Sequence, residues 1–184
     1  MKTRNRIIVG LLMIGIAIFL VVNLLIIPHK HAKELQYAED QKEAITHDLD
    51  SILKYQNAYL GNASNSINLF NHLPLSEYGT SFQIYSEQLT IEVKYDQSID
   101  EIGEKKTFRS LIYNSTAAFA LIGNLQEIRY RFNDTSYTVK RTKIENLYKN
   151  FEDILNKAIW KSEVQKKLRD DRYVENRKAI FVKE

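Results

Sequence analysis

The sequence predicts an α+β protein: an N-terminal transmembrane helix, then two helix-hairpin units that form a four-stranded antiparallel sheet covered by helices, and a long C-terminal helix. Three observations predict it. Residues 7–27 run without a charged side chain. Residues 89–95 and 127–132 alternate apolar and polar side chains, the period of a half-buried strand. The stretch before each hairpin, 65–72 and 108–122, has helical period and stops at Pro74 or Gly123. The boundaries read as a tail at 1–6, an anchor at 7–27, an amphipathic helix or stalk at 28–58, an α+β domain at 59–160 and a charged helical extension at 161–184.

The anchor comes first in the argument. At about 1.5 Å per residue its length matches a bilayer's hydrocarbon layer, where the backbone satisfies itself only as a helix. Asn23 is its one strongly polar side chain. A cleaved signal peptide has a shorter apolar region ending in small residues, whereas this run ends Leu24-Leu25-Ile26-Ile27-Pro28. The segment therefore reads as an uncleaved, single-pass signal-anchor in contact with the lipid bilayer.

The charge distribution orients it. The net charge of +3 resides wholly on Lys2, Arg4 and Arg6, because the rest of the chain carries 23 basic and 23 acidic side chains. Basic residues flanking a span stay in the cytoplasm, so the N-terminus is expected inside the cell membrane and the domain outside. Lys30 and Lys33 weaken this asymmetry slightly. A neutral exterior gives no drive toward nucleic acid. Residues 140–184 hold 13 basic and 8 acidic side chains against 10 and 15 in residues 28–139, which fits charge complementarity within the domain or attraction to an anionic headgroup or wall polymer. The absence of cysteine excludes disulfides, lipoprotein attachment and thiol chemistry.

Along residues 31–59, Leu35, Ala38, Ile45, Leu49, Ile52 and Tyr59 recur at helical spacing, interrupted by Lys42 and Gln56, and Gly61-Asn62 stops the run. This stripe suits a stalk, a helix packed on the domain, or a homodimeric coiled coil. Asn62 or Ser64 caps the helix at 65–72, whose buried side is Ile67, Phe70 and Leu73. Residues 82–85 and 89–95 form the first hairpin. Residues 96–106 are a polar connector, and Thr107 caps the helix 108–122, with Phe108, Leu111, Ile112, Ser115, Phe119 and Ile122 on one face. Residues 127–132 and 137–141 form the second hairpin around Asn133-Asp134-Thr135-Ser136. From Thr142, the stripe Ile144, Leu147, Phe151, Ile154, Leu155, Ala158 and Ile159 predicts a helix of about five turns over the sheet. Beyond Trp160 the chain is charged, with an apolar end at 179–182.

The residues Tyr59-Leu60-Gly61-Asn62-Ala63-Ser64, Leu73-Pro74-Leu75, a strand ending in Tyr95, and Phe119-Ala120-Leu121-Ile122 before Ile128 together resemble a small, membrane-tethered extracytoplasmic domain of unknown function from Gram-positive bacteria. The resemblance covers about residues 55–142. Leu60 stands where that family's pattern has Ile, and the chain beyond about residue 145 has no counterpart in it. It implies the envelope address and supplies no activity to carry across.

Motifs for chemistry are weak. Ser51-Ile52-Leu53-Lys54 has the Ser-x-x-Lys spacing in which a lysine activates a serine, without the companion motifs of that chemistry. His29 and His31 flank Lys30 beside the anchor; His47 and His72 stand apart, and no His-Glu-x-x-His occurs. The acidic pairs Glu39-Asp40, Asp48/Asp50, Glu152-Asp153 and Asp170-Asp171 lie on predicted helices, where neighbouring acids point to different sides. No catalytic residue, metal site or cofactor is expected. Eleven tyrosines suit strand packing or an aromatic binding surface. The residues singled out for binding are Tyr59, Gly61, Asn62, Ser64 and Tyr95, with Gly61 expected in a left-handed conformation and Asn62 bonding nearby backbone. The expected function is a membrane-anchored extracytoplasmic interaction or sensory module of the bacterial cell envelope, with an envelope protein or peptide as partner. An envelope enzyme or enzyme inhibitor, and a structural subunit of a membrane complex, are the alternatives.

Overall fold

The computed structural model describes residues 2–184; Met1 and the side chains of residues 2–6, 9 and 17 lie outside what it describes, so the predicted basic tail is placed by its backbone alone. The chain divides into two units, Met1–Glu39 and Asp40–Glu184.

The first unit is helical. Helix α1 (Lys2–Val21) passes through a π turn at Val22–Ile26 into α2 (Ile27–Gln41). The π turn precedes Pro28, which has no N–H to give the Leu24 carbonyl and whose ring would press on it. Widening the preceding turn relieves that clash. Asn23 Nδ2 donates to the Phe19 carbonyl at 2.9 Å within this distorted stretch. Large apolar side chains such as Leu12, Phe19 and Leu25 face outward. Among the described residues, one helix, Gly10–Gln41, is long and apolar enough to cross a membrane by length and composition.

The helix predicted over 31–59 ends at Gln41. Residues 42–47 turn, and α3 (Asp50–Leu53) is a single turn. Asp48 shapes the entry into α3: its Oδ1 accepts from the Asp50 N–H at 3.0 Å, and its carbonyl accepts from Ser51 Oγ at 2.7 Å. Such local bonds offer the backbone an alternative to helix. Leu49 and Ile52 are buried in the second unit's core and Ile45 is half-buried against it, so this part of the stripe packs inward rather than along a stalk.

Helix α4 (Ala63–Asn71) follows, with Leu69 and Phe70 buried and Ile67 only half-buried. The first hairpin is β1 (Thr80–Tyr85) and β2 (Thr90–Tyr95). The polar connector contains a helix the sequence reading missed, α5 (Ile99–Ile102), held by a capping box between Ser98 and Glu101. Helix α6 (Glu104–Leu121) then starts before the predicted cap: Thr107 Oγ1 donates back to the Gly103 carbonyl at 3.0 Å. The second hairpin is β3 (Glu127–Arg131) and β4 (Ser136–Lys140).

The sheet corrects the predicted four-stranded antiparallel arrangement. It has five strands in the order β1-β2-β3-β4-β5, and β2 pairs with β3 in parallel while the other pairs are antiparallel. Helix α6 explains this. At about 27 Å it runs the length of the sheet, so β3 starts at the end where β2 started. Ile91, Val93 and Tyr95 point inward with Ile128, Tyr130 and Val139. Glu92, Arg129 and Thr138 share the outer face, with Glu92 paired to Arg131 at 3.1 Å.

From Thr107 onward helix α6 is buried on nearly all sides, not on the single face predicted. Ser115 Oγ meets Tyr130 OH of the sheet at 2.9 Å, while Thr116 Oγ1 meets Tyr148 OH at 2.9 Å and Tyr113 stands edge-on to Trp160. The core is therefore three layers: sheet, α6, and an outer helical layer.

The long C-terminal helix is also corrected. The chain forms α7 (Arg141–Glu145), turns, α8 (Lys157–Ile159), a π stretch (Trp160–Gln165), α9 (Lys166–Leu168) and α10 (Asp171–Arg177). Asn146, Asn150 and Asn156 punctuate it; Asn156 accepts from the Ala158 N–H at 3.0 Å to start α8 anew. These segments cover α6 rather than the sheet. Residues 161–184 are not a solvated extension: Val164, Leu168, Val174 and Phe181 are buried, and β5 (Val182–Lys183) pairs with β4.

Candidate functional site

The loop before α4 joins the end of α6 through backbone. The Asn57 N–H donates to the Leu121 carbonyl at 2.8 Å, and the Gly123 N–H donates to the Asn57 carbonyl at 2.9 Å. Asn57 and Ile122 form an isolated parallel bridge. A Cβ at Gly123 would stand 3.0 Å from the Ala58 carbonyl oxygen, so this approach favours glycine. The Leu60 N–H donates to Asn124 Oδ1 at 2.6 Å, and the Leu60 side chain is fully buried.

Tyr59 sits between these fixed points. Its N–H donates to Asn57 Oδ1 at 3.2 Å, and its carbonyl accepts from the Asn62 N–H at 3.1 Å. Its side chain is 71 % exposed, and Tyr59 and Val182 are the large apolar side chains that the second unit exposes. Ala58, Gly61, Asn62, Ala63, Ser64 and Gly123 are exposed too. A loop pinned at Asn57, Leu60 and Asn62 thus holds an uncovered aromatic side chain, with exposed residues on either side of it in sequence.

The structure sorts the predicted site residues. Tyr59, Gly61, Asn62 and Ser64 share this loop and the first turn of α4. Asn62 is the cap of α4, accepting from the Asn65 N–H at 3.4 Å. Gly61 does not adopt the expected left-handed conformation, and a Cβ there would meet nothing within 4 Å. Left-handed backbone falls instead on Leu75 and Leu89, and on Gly79 and Gly103. Tyr95 lies elsewhere, buried under the sheet and stacked on Phe132 at 4.9 Å, with burial holding its phenol well above the usual range.

Other polar residues have structural partners. Ser51 is bonded to Asp48 rather than to Lys54, whose ammonium lies 5.0 Å from the Tyr55 ring centre. Asp50 pairs with Lys157, Asp171 with Arg109 at 2.9 Å, and Glu163 with Lys167 at 2.7 Å. Among the described residues no three His, Asp or Glu side chains gather as a metal site. His47 was not singled out by sequence. It is buried, its Nε2–H donating to the His72 carbonyl at 2.7 Å and its Nδ1 accepting from Tyr113 OH at 2.8 Å. Burial lowers its pKa, against the bond to His72 and the charge of Asp48, which raise it. A half-open cleft of about 480 Å³ lies elsewhere, lined by Tyr148, Lys149, Asp153, Ile154, Glu163 and Lys167 among others.

Residues 52–144, just over half of the chain, match the family described as domain of unknown function (DUF4825). The chain belongs to that family. No curated protein and no solved structure matches it. The DUF4825 segment runs from Ile52 through the Tyr59 loop, the first four strands and α6 to Ile144. The cleft lies wholly outside it, in residues 148–167.

Proposed function

We propose that this chain is a single-pass, membrane-anchored interaction module of the cell envelope. Its N-terminus is cytoplasmic, its DUF4825 domain is extracytoplasmic, and it binds a protein or peptide through Tyr59 rather than catalysing a reaction. The observation that carries the reading is the exposed Tyr59 on a loop fixed at Asn57, Leu60 and Asn62. A tyrosine offers a large apolar ring and a hydroxyl at the cost of ordering only two side-chain torsions. Exposed aromatics on rigid loops are therefore effective contact anchors. The address is supported by the apolar helix and by the excess positive charge on its N-terminal flank, which Lys30 and Lys33 only partly offset.

The sensory form of the same reading rests on the cleft, whose volume suits a small ligand and whose lining residue Tyr148 is bonded to Thr116 of α6. Photocrosslinking tests the Tyr59 reading. A photoreactive residue at Ala63, exposed beside Tyr59, should give a discrete adduct in native membranes that disappears with Tyr59→Ala. An adduct unaffected by Tyr59→Ala, or none, would remove Tyr59 from the contact.

A further inference from the structure

The anchor helix carries a hydrogen-bonding inventory that its own chain does not complete. Asn23 Nδ2 uses one hydrogen on the Phe19 carbonyl at 2.9 Å, which leaves a second N–H on that amide. Among the described residues the Asn23 Oδ1 has no donor, and the side chain is exposed. Pro28 deepens the imbalance, since it has no N–H to give the Leu24 carbonyl at α spacing or the Asn23 carbonyl at π spacing. Each helix thus presents one spare amide N–H and one spare amide oxygen at the same side chain, beside a turn with too few backbone donors. In hydrocarbon such groups look for partners across helices.

We propose that a second copy of this chain supplies them, Asn23 pairing with Asn23 across a two-fold axis in a parallel dimer of anchors. The amide is self-complementary: each copy donates its spare N–H to the other's Oδ1, so one residue type satisfies both sides with no third group. The inference rests on reading residues 7–27 as a membrane span. Asn23 lies about 6 Å inside the end of that run, so interfacial water is the competing donor. Water leaves the chain monomeric.

The test uses the full chain carrying Glu87→Cys, an exposed site outside the anchor, labelled with donor or acceptor dye and placed in phosphatidylcholine vesicles. Energy transfer should rise with the protein-to-lipid ratio. Asn23→Leu should weaken association about 5- to 30-fold, and Asn23→Gln, which keeps an amide, should retain most of it. Absence of transfer in the parent chain, or equal transfer with Asn23→Leu, overturns the pairing. Retention in vesicles through an alkaline carbonate wash reports the span separately. A chain released by that wash overturns the span reading and the pairing with it, whereas a retained monomer overturns the pairing alone.

Discussion

The Leu60 N–H donates to Asn124 Oδ1 at 2.6 Å, tying the loop before α4 to the residue just past the end of α6 across 64 positions of sequence. Leu60 is fully buried, so that N–H has no ready access to water. Asn124→Ala should cost about 1–3 kcal/mol, the penalty of a buried donor left alone. Asn124→Asp keeps an acceptor and should lose less. Thermal unfolding gives the stability, and amide exchange at Leu60 should quicken in the alanine variant.

Two glycines of the same locus should behave oppositely. Gly123→Ala places a Cβ 3.0 Å from the Ala58 carbonyl oxygen and 3.3 Å from its Cα, both backbone atoms that cannot swing aside. It should destabilise the domain by about 1–3 kcal/mol. Gly61→Ala meets open space on ordinary backbone and should be neutral or stabilising by about 0.4–1 kcal/mol through the unfolded chain. Melting of the two variants side by side checks the contrast.

Arg141 closes the end of α6. Its Nε donates to the Leu125 carbonyl at 2.6 Å, its Nη2 to the Ile122 and Gly123 carbonyls at 2.7 and 3.1 Å, and its Nη1 to Glu145 at 3.1 Å, with the guanidinium 5.3 Å from the Phe119 ring centre. Arg141→Lys keeps the charge but loses the planar fork. It should lose about 2–3 kcal/mol in denaturant titration, close to Arg141→Ala. Full stability in the lysine variant would contradict the fork.

His47 makes stability pH-dependent. Burial lowers its folded-state pKa below the ordinary 6.5, so it stays neutral in the fold while the unfolded chain takes up a proton. The contribution is complete above pH 6.5 and is lost as pH falls below it. The exposed carboxylates of Glu101, Glu163 and Asp171, whose pKa values are lowered by bonds to Ser98, Lys167 and Lys105, act at more acid pH. The melting temperature should fall between pH 7.5 and 5.5, and His47→Gln should flatten that slope while lowering the plateau.

The first four strands were legible, β2 and β3 most clearly because they alternate: Ile91, Val93 and Tyr95 fall inward as their spacing requires, and Asn62 caps α4 as its side chain allows; the two-residue β5 is too short to show a period. Direction was not legible. Nothing in the 18 residues of α6 states that it returns along the sheet and makes β2 and β3 parallel. The stripes at 31–59 and 144–159 read as helices because their apolar spacing outweighed the polar residues within them; the helices end at Gln41 and Glu145, and Asp48 and Asn156 bond the backbone where the next helices begin. At the candidate site, Tyr59 and Asn62 were singled out by a short motif. Gly61 was given a conformation it does not have, and Tyr95 was grouped with a loop that it never approaches because exposed and buried tyrosines look alike in sequence. His47 gave no local signal, since its partners His72 and Tyr113 are 25 and 66 residues away.

The most direct test of an exterior contact at Tyr59 uses the chain's lack of cysteine. Ser64→Cys lies on the exposed first turn of α4, five residues after Tyr59, and Asp100→Cys on an exposed turn of α5, so a membrane-impermeant thiol reagent reads each site singly. In purified protein both sites should label. In intact cells the site at 100 should label and the site at 64 should be protected, with protection lost when Tyr59→Ala is added. Labelling at 100 only after cells are opened would contradict the exterior placement, and equal labelling at both sites in intact cells would contradict the contact at Tyr59.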